Sequence, residues 1–273
     1  MGAMRKWRWW IVGVAAVVLL LAVGGPFVYI HFIEGPPPPK LALPTSHPTS
    51  TAATSGATDT TGVAGTYSVG SGSEAGYRVN EVLVGQNSTA VGRTDKISGA
   101  ITISGTKVTA GTFSVDMASV TSDQSERNSQ FDSRIMDVAK YQTAKLTLTK
   151  PIELGTVPPV SSKATYTATG TLAMHGVTRS VTFPVSAERT TQGIVVLADV
   201  PVTFSEWDIA NPSIGGFVTT QSSGTLEVLV QLTKGAGNPA TGSPSPSSSI
   251  GGGTPGPVTV PKTTVPSLTI PTG

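Results

Sequence analysis

Few residues in this chain are of a type that does acid–base or metal chemistry, and those few are scattered. His175 is the only histidine between positions 65 and 234, so a polyhistidine metal site within one chain is excluded there. Asp116, Asp123, Glu126 and Asp137 lie along one polar stretch, where solvated loop acids are the ordinary reading. The chain has no cysteine, which removes thiolate ligands, disulfides, a cysteine nucleophile and a lipid anchor acylated on cysteine. It has no Gly-x-Ser-x-Gly elbow and no Ser/His/Asp set at motif spacing. No catalytic residue, metal or cofactor is expected. The sequon Asn87-Ser88-Thr89 is a motif short enough to arise often by chance.

His175 sits instead in a segment that reads as architecture. Leu172 to Val185, LAMHGVTRSVTFPV, is a strand, a tight turn and a second strand. Met174 ends the first strand, His175-Gly176 reverses the chain, and Val181, Phe183 and Val185 share one face by period-two alternation. Gly176 suits the turn because it accepts positive φ without steric cost. His175 is read as a turn residue that hydrogen-bonds locally.

The same alternation recurs over Ala100 to Ser104, Thr112 to Met117, Lys145 to Thr149, Thr165 to Met174, Ser180 to Ala187, Ile194 to Phe204 and Thr225 to Thr233. Leu226, Val228, Val230 and Leu232 share a parity, with polar residues mostly between them. Antiparallel strands with one face in a core and one in water give this pattern, and many short strands argue a sandwich or a barrel. Thr121 to Tyr141 departs from it. Phe131, Ile135, Met136 and Val138 are spaced for an amphipathic helix, which a Thr121–Gln124 capping box would start at Ser122. The fold class is all-β, with a short helical excursion.

Around this unit, from 65 to 234, composition changes. Residues 9–33 carry no charge between Trp9 and Ile30, a length sufficient to cross a hydrocarbon layer about 30 Å thick. Arg5, Lys6 and Arg8 precede it, so residues 1–8 are expected in the cytoplasm and everything after the span outside. A single-pass signal anchor in the cell membrane is the reading; a signal peptide cleaved near Ala22-Val23-Gly24 is the alternative. Residues 34–64 begin with Pro36 to Pro39 and are otherwise Thr/Ser/Ala-rich, a flexible spacer by composition. Residues 235–273 read as a disordered Pro/Ser/Thr/Gly-rich tail. A net charge of +2 with no basic stripe after Arg8 gives no sign of a nucleic-acid partner.

The folded unit resembles the YceI-like family. Gly65 to Val69 resembles its opening strand, Gly99-Ala-Ile101 and Gly111 to Met117 its next Gly-led strands, and Asp137-Val-Ala-Lys-Tyr141 its Asp-x-x-Lys-Tyr segment. Leu172 to Thr178 matches the Leu-x-x-His-Gly-Val-Thr turn, and Phe204-Ser-Glu-Trp-Asp-Ile209 is similar to its late Phe-x-x-x-Asp region. Some positions depart. Tyr77 to Glu81 lacks a histidine usual in the second strand, Arg127 to Phe131 replaces an Arg-Asp-x-His-Leu run, and Ile209-Ala210 replaces Phe-Gly. These changes bear on a ligand head group more than on the fold.

The resemblance implies an exported, non-enzymatic binding protein with a lipocalin-like barrel, and a polyisoprenoid or other long-chain lipid as ligand. A barrel of about eight strands either is filled by side chains or holds one such chain. Expected on the inner wall are Phe113, Val115, Met117, Leu146, Leu148, Phe183, Phe204 and Trp207. The alternative is a filled barrel that acts as a protein-interaction or structural module of the cell envelope. The sequence leaves oligomeric state open.

Overall fold

Strands run from Gly65 to Lys234 in a computed structural model that describes residues 10, 12–18, 36–44, 62–216 and 218–235. In chain order they are β1 (Gly65–Val69), β2 (Glu74–Leu83), β3 (Gln86–Thr94), β4 (Ile97–Ser104), β5 (Lys107–Asp116) and β6 (Thr121–Ser122). After helix α1 (Ser125–Gln130) come β7 (Thr143–Leu148), β8 (Ile152–Glu153), β9 (Lys163–Met174), β10 (Val177–Arg189), β11 (Gly193–Thr203), β12 (Val218–Thr220) and β13 (Ser223–Lys234). All pairings are antiparallel.

Closure follows from the order β1-β4-β5-β7-β9-β10-β11-β13, because β13 pairs back onto β1. Those eight strands make an antiparallel barrel without a free edge. β2 continues the line of β1 along β13: Leu232 to Lys234 face β1, and Thr225 to Leu229 face β2. Where that line breaks, the Ser73 hydroxyl donates to the Gly70 carbonyl at 2.7 Å and accepts from the Gln231 amide at 2.9 Å. The broken ladder is thereby satisfied by a buried side chain.

Inside the wall the apolar parities meet in two clusters, one toward each end. Met117, Phe131, Met136, Leu172, Met174 and Phe183 belong to the first. Tyr67, Ile101, Ile103, Val108, Val230 and Leu232 belong to the second, which the Tyr67 hydroxyl helps to close by donating to the Val63 carbonyl at 3.0 Å. Val115, Leu148 and Val196 pack against both.

The helical excursion starts later than its sequence suggests. Thr121-Ser122 pairs with β3 as β6, and α1 begins at Ser125 with Gln124 at its cap making no side-chain bond. Asn128 ties the segment back: its Oδ1 accepts from both the Ser122 amide (2.7 Å) and the Ser122 hydroxyl (2.8 Å). The Gln124 amide, which the expected box would have given to the Thr121 hydroxyl, donates instead to the Ser122 hydroxyl at 3.3 Å. A wider turn over Phe131–Ile135 follows and buries Phe131.

Trp10 and residues 12–18 are helical. Among the described residues no helix is long and apolar enough to cross a membrane; the rest of the expected 9–33 anchor lies outside them, as do most of the 34–64 spacer and residues 236–273. Residues 36–44 are described, with Leu41 and Leu43 half-buried.

Candidate ligand cavity

The barrel encloses a cavity of about 320 Å³, roughly ten times the volume of a liquid water molecule and within the range of small-molecule sites. Its wall is built by parity. β5 contributes Phe113 and Val115, with Met117 just past its end; β7 contributes Leu146 and Leu148; β10 contributes Phe183; and Phe204 follows β11. The structure brings all of these together. Leu226, Val228, Val230 and Leu232 complete the wall from β13.

Trp207 does not reach the cavity. β11 ends at Thr203, and a tight turn over Phe204–Trp207 closes on Asp208 in the left-handed region at φ 53°. Strand parity would not have aimed it there either: β11 turns Ala198, Val200, Val202 and then Phe204 inward, and residue 207 is of the opposite parity. Trp207 is instead packed in the first apolar cluster, 2% exposed, and lies beside Arg179 and Glu206 at a shallow outer depression.

Polar groups border the cavity at its two ends. Arg189 and Tyr166 stand on its wall from β10 and β9. At the other end Tyr77 stacks on Phe131, with ring centroids 5.2 Å apart and planes 12° from parallel. Gly92 makes room for that ring, since a Cβ there would sit 2.4 Å from Tyr77 Cε1. Burial pushes the Tyr77 hydroxyl up to about 12, with the Arg127 charge acting in the opposite direction. Tyr77 is therefore a neutral donor at ordinary pH.

Arg127 comes from α1 and Glu81 from the end of β2; their Nη2 and Oε1 atoms are 3.4 Å apart, and Arg127 also pairs with Asp123. Glu81 and Arg127 both border the cavity. Tyr77, Glu81, Arg127 and Phe131 were not among the residues expected on the inner wall, although the departures from the family pattern at Tyr77 to Glu81 and Arg127 to Phe131 pointed to the head-group end. The alternation Ala75, Tyr77, Val79, Glu81 carried the signal for two of them; the helix residues carried none of this kind, because the wide turn after α1 sets where Phe131 points.

His175 serves the frame of this end. Its Nδ1 is 2.9 Å from the Trp207 carbonyl oxygen, and its ring meets Tyr141 edge-on at 4.7 Å. Among the described residues no three metal-ligating side chains converge. The arrangement can enclose an apolar chain and offer polar partners at its ends.

A family model described as YceI-like domain matches residues 67–232. No curated protein matches the chain. Among solved structures, a polyisoprenoid binding domain from Saccharophagus degradans is 15% identical with a TM-score of 0.51, covering 63% of this chain and 99% of that one. BcnA of Burkholderia cenocepacia is 18% identical with a TM-score of 0.43, covering 56% and 94%. A YCEI protein of Campylobacter jejuni is 15% identical with a TM-score of 0.39, covering 51% and 84%.

Proposed function

The chain belongs to the YceI-like family, and from that premise we propose that its barrel binds an isoprenoid or other long-chain lipid without transforming it. The observation that carries the reading is the cavity: about 320 Å³ bounded by inward-facing apolar side chains of eight strands. Close-packed interiors leave few voids larger than a water molecule, so a filled barrel is the poorer description. The apolar wall gives an enclosed chain about 0.8 kcal/mol per buried CH₂. That gain rewards length and branching, not a particular head group.

The polar end of such a ligand lies at the Tyr77–Arg127 end. Tyr77 keeps its proton there and donates to an oxygen on the ligand, while Arg127 is held in place by Glu81 and Asp123. The polyisoprenoid binding domain of similar fold agrees with the ligand class. We further take the barrel to be held outside the cytoplasm by the apolar segment of residues 9–33, with Arg5, Lys6 and Arg8 retained inside.

Native mass spectrometry of the protein released gently from its host membrane tests the proposal. A co-purified mass matching a long-chain lipid, lost on mild activation, is expected. Repeated recovery of the bare chain, together with failure to take up added polyprenol, overturns it.

A further inference from the structure

β13 alternates apolar and polar positions, and Glu227 falls on its outward parity between Leu226 and Val228. It is nonetheless 1% exposed. Two arginines enclose it: Arg78 Nε donates to Oε1 at 2.6 Å and Arg93 Nη2 donates to Oε2 at 3.0 Å. A carboxylate on the outer wall of a barrel is shielded this fully only if something lies over it.

Residues 36–44 lie there. Arg78 Nη2 donates to the Pro38 carbonyl at 2.8 Å, and Arg93 Nη2 donates to the Pro39 carbonyl. The same guanidinium groups thus grip Glu227 beneath and the chain above. The charge of Lys40 is felt at the same patch: burial and the Glu227 charge raise the carboxyl of Asp199, and Lys40 and Arg78 draw it back down. Asp199 is the cross-strand neighbour of Glu227. Leu41 and Leu43, of one parity, are half-buried. A run of prolines suits this role because its extended form is preorganised and leaves every carbonyl without an internal partner.

We propose that residues 36–44 are a strap built into the folded unit, and that docking it on Arg78, Glu227 and Arg93 shortens the tether between barrel and membrane. The tether part rests on the anchor reading of residues 9–33 given above. With the strap docked, only residues 34–37 separate the anchor from the barrel, at most about 14 Å of extended chain. With it released, residues 34–64 span about 30 Å on average and about 100 Å at full stretch. The docked strap keeps the barrel beside the bilayer that holds its lipid.

Two readouts on the full chain in phosphatidylethanolamine/phosphatidylglycerol vesicles test this, and neither involves lipid uptake. Lys40 gives trypsin a cleavage point within the strap. Cleavage after Lys40 should be at least tenfold slower in the wild type than in a Leu41→Ser/Leu43→Ser variant, which leaves the barrel wall untouched, and than in Arg78→Met/Arg93→Met. Because the chain has no cysteine, Asn87→Cys gives a single dye site on the barrel. Energy transfer from it to a labelled lipid should fall when the strap variants are introduced. Equal cleavage rates in wild type and variants overturn the strap, and unchanged energy transfer on release overturns the short tether. A full chain that does not remain with the vesicles also overturns the tether, and leaves the lipid-binding proposal standing.

Discussion

The Nδ1 atom of His175 lies 2.9 Å from the carbonyl oxygen of Trp207, joining the β9–β10 turn to the turn that follows β11. The carbonyl can only accept, so the ring proton is on Nδ1. Tyr141 completes the junction: it meets the His175 ring edge-on, and its own ring lies where a Gly176 Cβ would be, 2.7 Å from Cε1. Three segments far apart in sequence converge here: Asp137 to Tyr141, Leu172 to Thr178 and Phe204 to Ile209. His175 thus has a packing role at one end of the barrel.

The two turn positions should respond differently to substitution. His175 and Gly176 both have positive φ, 52° and 78°, the geometry of a two-residue hairpin turn that favours Asn-Gly. His175→Asn should keep the turn and cost less than about 1 kcal/mol in urea unfolding. Gly176→Ala meets both the left-handed backbone and the Tyr141 ring, and should cost about 1–3 kcal/mol. Equal losses would show that the His175 contacts outweigh the backbone geometry.

Val115→Trp tests whether the barrel is hollow. Val115 borders the cavity between the two apolar clusters. In the open cavity the indole should leave the melting temperature nearly unchanged while uptake of a polyprenol falls. Overpacking a filled core would instead cost about 1–3 kcal/mol. A much lower melting temperature in a protein whose wild type never carries lipid would sink the cavity reading.

Tyr77 predicts an alkaline limb of stability. Its hydroxyl, ordinarily near 10, is held at about 12 in the fold, mainly by burial. Between those values the folded state keeps a proton that the unfolded state has lost, so stability is full below about pH 10 and declines as pH rises toward 12. The loss is at most about 2–3 kcal/mol. Tyr67 and Tyr166 are raised by burial as well and act in the same direction. Tyr77→Phe should keep the stack on Phe131 and flatten part of this limb in urea melts from pH 9 to 12; an unchanged slope would mean the hydroxyl is solvated. The same variant should weaken binding of a polyprenol more than that of a hydrocarbon of equal length.

Export is checked by fusion. A reporter active only outside the cytoplasm, joined after Lys234, should be active because Arg5, Lys6 and Arg8 precede the apolar run. Activity confined to a cytoplasmic reporter at that position would reverse the orientation.

What the sequence determined by itself was local and periodic. Alternating residues such as Leu226, Val228, Val230 and Leu232, or Val181, Phe183 and Val185, identify their strands and inner faces because a strand's two faces differ by one residue step. The His175-Gly176 reversal is legible because its positive φ values belong to the turn itself, but the local hydrogen bond expected of His175 is replaced by one to the Trp207 carbonyl, 32 residues on. β3 was not legible this way, since Ser88, Ala90 and Gly92, opposite Glu81, Val79 and Tyr77, are too small to mark an apolar face, and Gly92 stays small because the Tyr77 ring crosses over it.

Tertiary structure decided everything that depended on a partner far along the chain. The Phe204–Trp207 turn packs Trp207 in the first apolar cluster away from the inner wall, and pairing of Thr121-Ser122 with β3 took the place of an expected cap. Glu227 is the clearest instance. Its parity marks it as solvent-facing, yet Arg78 and Arg93 bury it across sequence separations of 149 and 134 residues, with residues 38 and 39 bonded above them. Periodicity reports which face of a strand a residue occupies; only the folded chain decides what comes to lie against that face.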